Sequence, residues 1–474
     1  MVEWEKVKQY VELLSGASIK TSPFKIRNIR LFIAFRVFFN SRFYYPVFTI
    51  LFLDFGLTLE QFALLNVVWA LTIVILEVPS GALADTIGRK NLLVFAGACM
   101  VLEMVLLCFA PSGNPQLLFL IFIANRVLSG SAEAAASGAD EALAYDSLKK
   151  EGDTKDWGKV LVRQMGFRSI GFVVAMTLGA AVYDPSLLQH VADWFGLNIS
   201  LNQERTLRFP LYLTLCTAIV TLCIALAMKR INPRDSGGEA FKGKGFESLA
   251  NAMKLTIRTG AWILKTPFAL VIIATGLIFD HTLRMMITLS SQYYRLIDLP
   301  ESVFGLIGSG LALLGLFIPR LALKLAEKHT PAFNMGIMAV VTLAGFLGIT
   351  LFLPVLGLIP MALLSSVMFF LSFFVSHYLN RMTDSSQRAT VLSFKGLSFN
   401  LAYGLIGLFY SLLFSMLRSH TSETGLPLAG QGLENSIFMQ SMDWFPWYFI
   451  GTLSILLVFA AWQLRHSEEH RQIG

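Results

Sequence analysis

The sequence predicts an all-α polytopic membrane protein of about twelve transmembrane helices in two six-helix bundles. The prediction rests on three observations. The 474 residues are 55% hydrophobic and 15% charged, with 39 Phe, and mean hydropathy is +0.62. One soluble core does not bury that much apolar surface, and soluble chains carry about one quarter charged residues, so a soluble enzyme does not fit. The apolar residues also fall in runs that match the roughly 20 helical residues needed to cross a hydrocarbon core about 30 Å thick. Finally, the basic residues gather between alternate runs, which assigns the net charge of +7 to one membrane face and its anionic lipid, with no nucleic-acid partner required.

In chain order, residues 1–28 form a cytosolic N-terminal segment. Trp4, Val7, Val11 and Leu14 repeat there at helical spacing, as in a helix lying on the membrane surface; a solvated tail is the alternative. The scattered Glu3, Glu5 and Glu12 do not fit a cleaved signal peptide, so the segment is expected to stay on the protein. Spans are expected near 29–53, 61–83, 91–110, 116–137, 160–183, 207–229, 263–290, 301–325, 332–353, 356–380, 388–417 and 443–465. With a cytosolic N-terminus, the inside segments hold Lys20, Lys25, Arg27, Arg89, Lys90, Lys149, Lys150, Arg230 and Lys242. The outside loops hold little beyond Arg205, Arg208, Arg295 and Arg418. That asymmetry places both termini in the cytosol, and the membrane is expected to be the plasma (inner) membrane.

The longest inside connection, 230–262, is rich in Gly, Lys and Arg and divides the spans six and six. It reads as a linker between a bundle at 29–229 and a bundle at 263–465, with a cytosolic tail at 466–474. Phe246, Leu249, Met253 and Ile257 fit one face of an interfacial helix within it. Two halves of equal span count are the plan of many transporters built from repeats, although no strong residue-level repeat is visible. Cys99, Cys108, Cys216 and Cys223 all lie inside apolar runs and read as small core residues; they give neither a disulfide framework nor a zinc site.

Between the second and third spans the chain reads Gly81, Leu83, Asp85, Thr86, Gly88, Arg89 and Lys90. Gly88 permits a tight reversal, Asp85 suits a helix end, and Arg89 and Lys90 lie at headgroup level. This stretch resembles the cytosolic-loop signature of the major facilitator superfamily. The resemblance implies a charged latch that favours the outward-open state; Thr86 stands where many members carry a second Arg. The fourth span's Arg126 and Gly130 look like that family's second motif, which implies a role for Arg126 in proton transfer or substrate binding. A structural ion pair is the alternative. The fifth span has Gly166, Gly171 and Gly179 but no Pro before Pro185, and so departs from the Gly-Pro motif of the family's drug–proton antiporters.

Charged groups inside a bundle in lipid cost several kcal/mol unless they are paired or wet. On the first span Arg36, Asn40 and Tyr44 share a helical face, while Arg42 and Tyr45 lie on another; Arg36 either lines a cavity or snorkels to the interface. Arg126, Glu133 and Asp140 recur every seven residues on the fourth span, as a proton relay or a static network. Glu77 on the second span and Glu103 on the third either carry protons or pair with an Arg. Asp280, His281 and Arg284 on the seventh span form either a titrating cluster or a local salt bridge. Lys395, Asn400 and Tyr403 on the eleventh complete a cavity lining from the second half. Arg42, Arg126 and Arg284, with Arg36, Arg168 and Lys395 where these face inward, outnumber Glu77, Glu103, Glu133 and Asp280, which favours a substrate with a carboxylate or phosphate.

The resulting expectation is a secondary active transporter that moves a small organic solute, an anionic one being favoured by the charge balance just given, by alternating access with proton coupling. Its partners are that solute, protons and membrane lipid, and the chain is expected to act as a monomer. A proton-coupled multidrug or metabolite exporter is the alternative within transport; a channel or transporter-derived receptor is the alternative outside it. There is no ATP-binding loop, HExxH pair or nucleophile elbow, so neither a pump nor an enzyme is expected, and no cofactor or metal.

Overall fold

The computed structural model describes residues 22–111, 113–231, 254, 263–264, 266–382, 388–423 and 430–473. The expected surface helix around Trp4–Leu14 and, Lys254 apart, the linker helix around Phe246–Ile257 lie outside the described residues. Those described contain helices and no strand. The helices are α1 (Arg27–Asn40), α2 (Phe48–Asp54), α3 (Leu59–Ile87), α4 (Arg89–Cys108), α5 (Pro115–Ala136), α6 (Ala139–Glu151), α7 (Trp157–Tyr183), α8 (Pro185–Trp194), α9 (Gln203–Thr206) and α10 (Phe209–Ala227). They continue as α11 (Pro267–Thr288), α12 (Ser290–Leu296), α13 (Phe304–Lys328), α14 (Pro331–Ile349), α15 (Leu358–Met382), α16 (Arg388–Glu423), α17 (Gln431–Met442) and α18 (Trp444–Ile473).

Eleven helical stretches among the described residues are long and apolar enough to cross a membrane, and they match the second to twelfth expected spans. The first expected span departs from the continuous helix read from sequence. It is two helices, α1 and α2, separated by Ser41–Tyr44 and a short 3-10 turn at Tyr45–Val47. Pro46 explains the break: it has no N–H to continue the ladder, and its ring clashes with the carbonyl four residues back. Backbone freed in a bilayer must find partners inside the protein. Here α10 supplies them, since the Phe43 N–H donates to Thr214 Oγ1 at 3.0 Å and Thr217 Oγ1 donates to the Ser41 carbonyl at 3.1 Å. Tyr44 thereby leaves the helical face it was expected to share with Arg36 and Asn40.

Helix ends follow local chemistry. Thr58 and Gln61 form a reciprocal capping box at the start of α3. Asn114, Asp184 and Thr330 cap α5, α8 and α14, each followed by Pro at the first helical position. Gly88, at φ 88°, makes the reversal from α3 into α4. The fourth span also stops short of the expected stripe. Gly138, at φ 73°, ends α5 and redirects the chain, so Asp140 sits on α6 rather than above Glu133 on the same helix.

The helices up to α10 pack chiefly on one another, as do those from α11 onward; α3 against α16, α7 against α13 and α2 against α12 join the two sets. The α7–α13 contact is backbone-close, because a Cβ on Gly305 would lie 2.0 Å from the Met176 carbonyl oxygen. Cys99 and Cys108 are buried as expected, whereas Cys216 and Cys223 face outward from α10. An outward apolar position in a bilayer meets lipid, which is why an apolar run does not by itself assign a residue to the core.

Candidate functional site

A cavity of about 460 Å³ lies where the two sets of helices meet, within the size range of small-molecule sites. Its lining comes from both breaks in the long spans: Tyr44, Tyr45 and Pro46 from the first, Thr288, Ser290 and Ser291 from the junction of α11 and α12. These two junctions are also bonded to each other. Thr49 Oγ1 donates to the Thr288 carbonyl at 2.6 Å, and the Thr49 N–H donates to Ser291 Oγ at 3.0 Å. Interrupted spans at corresponding places in two halves mark the binding region of many carriers.

Among the described residues, two arginines and no carboxylate belong to the lining. Arg126, on α5, is 4% exposed. Its Nε and Nη2 both donate to Asn125 Oδ1, at 3.0 and 2.9 Å, and its guanidinium carbon lies 5.2 Å from the ring centres of Phe48 and of Phe52. Among the described residues no carboxylate lies within 4.0 Å of it. Asn125 is itself fixed, donating from Nδ2 to the Glu103 carbonyl at 3.0 Å. Arg284, on α11, differs: it pairs with Asp280 at 2.6 Å, donates to Asn400 Oδ1 at 2.9 Å and lies 5.3 Å from the centre of the Tyr403 ring. The Tyr403 hydroxyl is within hydrogen-bond distance of Thr288 Oγ1, at 2.9 Å, and within the fields of both arginines.

The other sequence candidates occupy three different surroundings. Arg42 and Glu103, 3% and 0% exposed, form a buried ion pair that ties the break in the first span to α4. Arg36 reaches α6, donating to Asp140 at 3.0 Å and Glu141 at 2.7 Å, while Asn40 donates back to the Arg36 carbonyl. His281 turns away from the Asp280–Arg284 pair: its Nδ1 meets the Leu277 carbonyl and its Nε2 the Tyr448 hydroxyl, the latter at 2.9 Å. Lys395 lies over the Phe399 ring at 5.6 Å and in the field of Asp280. Glu77 has no cationic partner among the described residues; its Oε2 is buried without a hydrogen bond, and Oε1 faces α16 at Gly396. Glu133 is exposed, and it lies in the combined field of Arg42, Arg36 and Arg168 as well as of Glu77.

In the loop motif, Gly81 is exposed within α3 and Gly88 forms the turn. Arg89 pairs with Asp146 on α6 and donates to the Ala142 carbonyl at 3.0 Å; Lys90 opens α4 beside it. The Asp85 side chain lies outside what the structure describes. At the opposite end of the bundle, two ion clusters bridge the helix sets. Arg295 binds Asp54 through both terminal nitrogens and also binds Glu301. Arg418 binds Glu60 and Glu434. No three His, Cys, Asp or Glu side chains among the described residues are grouped to hold a metal ion.

Sequence reading did not single out Trp69, Phe172, Met176, Met361 and Phe369, which also line the cavity. They are apolar residues in apolar spans, and only helix rotation in the assembled bundle separates them from lipid-facing neighbours. Pro46 was the available signal for the broken first span and hence for Tyr44 and Tyr45 at the cavity.

A helical membrane bundle with a polar-studded cavity between two sets of spans defines a carrier architecture. The description of the Major Facilitator Superfamily matches residues 30–407, and the chain belongs to that family. Among solved structures it is similar to the nucleoside transporter NupG, at 14% identity and TM-score 0.65, over 92% of this chain and 98% of that one. A bacterial homolog to the human lysosomal transporter Spinster, in an inward-facing and unoccupied conformation, matches at 15% identity and TM-score 0.66, over 94% of this chain and 98% of that one. A D-xylose-proton symporter matches at 12% identity and TM-score 0.57, over 90% and 97%. No curated protein matches the sequence. At these identities the likeness is one of fold: a secondary-type transporter of the membrane.

Proposed function

We propose that this transporter carries a small organic anion by alternating access between two lobes, 29–229 and 263–465, with proton coupling. The observation that carries the reading is the cavity's charge: among the described residues, Arg126 and Arg284 line it and no carboxylate does. Guanidinium groups in a low-dielectric site favour anionic groups and disfavour cations, which separates this reading from export of cationic drugs. The bridging ion clusters at the end remote from Gly88 support a carrier closed on one side, where a channel needs a continuous path. With Arg89, Lys90 and the basic loops on the cytosolic side, both termini are cytosolic and the closed end faces outward in the plasma membrane.

Glu77 supports the coupling role, because a buried carboxylate oxygen with no cation beside it among the described residues is free to take a proton. Glu133 shares its field and supplies a neighbouring acceptor. The chain works as a monomer in this reading, since each monomer encloses its own cavity. The test is uptake of a labelled organic anion into proteoliposomes under an imposed pH gradient. Uphill accumulation that collapses with a protonophore supports the proposal; flux that only ever equilibrates, at the same rate with or without the gradient, contradicts coupled transport.

A further inference from the structure

We propose that the substrate is an amphipathic monoanion: a single carboxylate-type group held by Arg126, with an aromatic or branched hydrocarbon body against an apolar wall. This deepens the transport reading above and rests on it.

The charge count comes from pairing. Arg284 already has Asp280 at 2.6 Å, so that pair contributes no net charge to the cavity. Arg126 has only the Asn125 amide oxygen among the described residues, and Asn125 cannot neutralise it. The lining therefore holds one uncompensated positive charge, on a side chain that is 4% exposed. A buried unpaired cation is costly, and one anionic group on the ligand removes that cost. A second anionic group would meet an arginine whose partner is already in place.

The hydrocarbon part follows from what surrounds the charge. Phe172 and Met176 come from α7, Phe304 and Leu311 from α13, and Met361 and Met368 from α15. Methionines and aromatic rings give a wall that adapts to apolar shapes. Inorganic phosphate or a small hydroxy acid would leave this wall wet and forgo the burial of apolar area. Ser129 and Ser365, also in the lining, offer hydroxyls for a minor polar group on the body.

The experiment uses the purified full-length protein with phenylbutyrate, phenylbutylamine and phenylbutanol, which share one body and differ in charge. Phenylsuccinate serves as the dianion and inorganic phosphate as the bodiless anion. Ligand-induced thermal shifts give apparent affinities. The expected result is phenylbutyrate binding about tenfold or more tightly than each of the other four, the usual scale for one charge-assisted contact. Arg126→Gln should abolish the advantage of the carboxylate over the alcohol. Asp280→Asn, which frees Arg284, should raise phenylsuccinate binding relative to phenylbutyrate by a similar factor.

Amine or alcohol binding as tight as the carboxylate in the wild type overturns the proposal, as does absence of binding by every probe. The wild-type series decides even where Arg126→Gln does not fold. Proteoliposome uptake of the same probes separates the two readings. Binding of the carboxylate without uptake of any probe removes transport and leaves the ligand class; uptake of the amine alone removes the ligand class and leaves transport.

Discussion

Arg295 grips Asp54 through two parallel hydrogen bonds, Nη1 to Oδ1 at 2.9 Å and Nη2 to Oδ2 at 2.7 Å, across the junction of the two helix sets. The same guanidinium also donates from Nε to Glu301, in its own set, at 2.9 Å. Arg418 repeats the arrangement with Glu60 across the junction and Glu434 beside it. Each arginine thus keeps one carboxylate when the junction opens, which lowers the cost of leaving the other. Asp54→Asn removes only the bridging charge and should shift the population toward a conformation open at that end by about tenfold, the equivalent of about 1.4 kcal/mol. Spin-label distances between the start of α3 and α17 check this; unchanged distance distributions contradict it.

The Arg42–Glu103 pair is expected to hold the fold together more than to bind ligand. Glu103→Gln leaves a buried guanidinium without its counter-ion, at a cost of about 3–5 kcal/mol. The apparent unfolding temperature should fall, and a paired Arg42→Met and Glu103→Leu replacement should recover much of the loss. A single variant that melts like the wild type would remove the pair from the structural account.

Glu77→Gln should uncouple transport from protons. The amide cannot exchange a proton, so uphill uptake driven by a pH gradient should disappear while counterflow exchange of substrate continues. Comparing the two assays in one vesicle preparation checks the point. An unchanged dependence on the pH gradient would exclude Glu77 as the coupling acid.

Gly305 lies against the Met176 carbonyl with no room for a side chain. Gly305→Val should push α13 from α7 and cost about 1–3 kcal/mol through overpacking. Thermal melting measures the stability, and the cavity wall formed by Phe304 and Met176 should lose ligand affinity in parallel. Full affinity in a destabilised variant would dissociate that wall from binding.

Eleven spans were legible because hydropathy over about 20 residues survives any packing arrangement. The first span was legible as a crossing but not as two helices: apolar residues resume after Asn40, Ser41 and Arg42, so hydropathy still reads one run, and Pro46 carried the signal for the break. Arg126, Arg284, Tyr44 and Asn400 were readable as interior groups from their depth. Partners on other helices were not, since Arg42 meets Glu103 and Arg36 meets Asp140 across helix neighbours whose order and rotation no spacing rule supplies. His281 illustrates the limit: it is adjacent to Asp280 in sequence, yet one residue along a helix turns it about 100° away, toward Tyr448.

The most direct test of the central claim is sided labelling of Ser365→Cys, a cavity position, in oriented vesicles with Cys99, Cys108, Cys216 and Cys223 replaced. The account predicts reaction with a membrane-impermeant thiol reagent from the cytosolic face, protection by bound anion, and a switch to the outer face when Asp54→Asn opens the far end. Simultaneous labelling from both faces, or labelling from neither in any of these variants, contradicts a single cavity that is exposed to one side at a time.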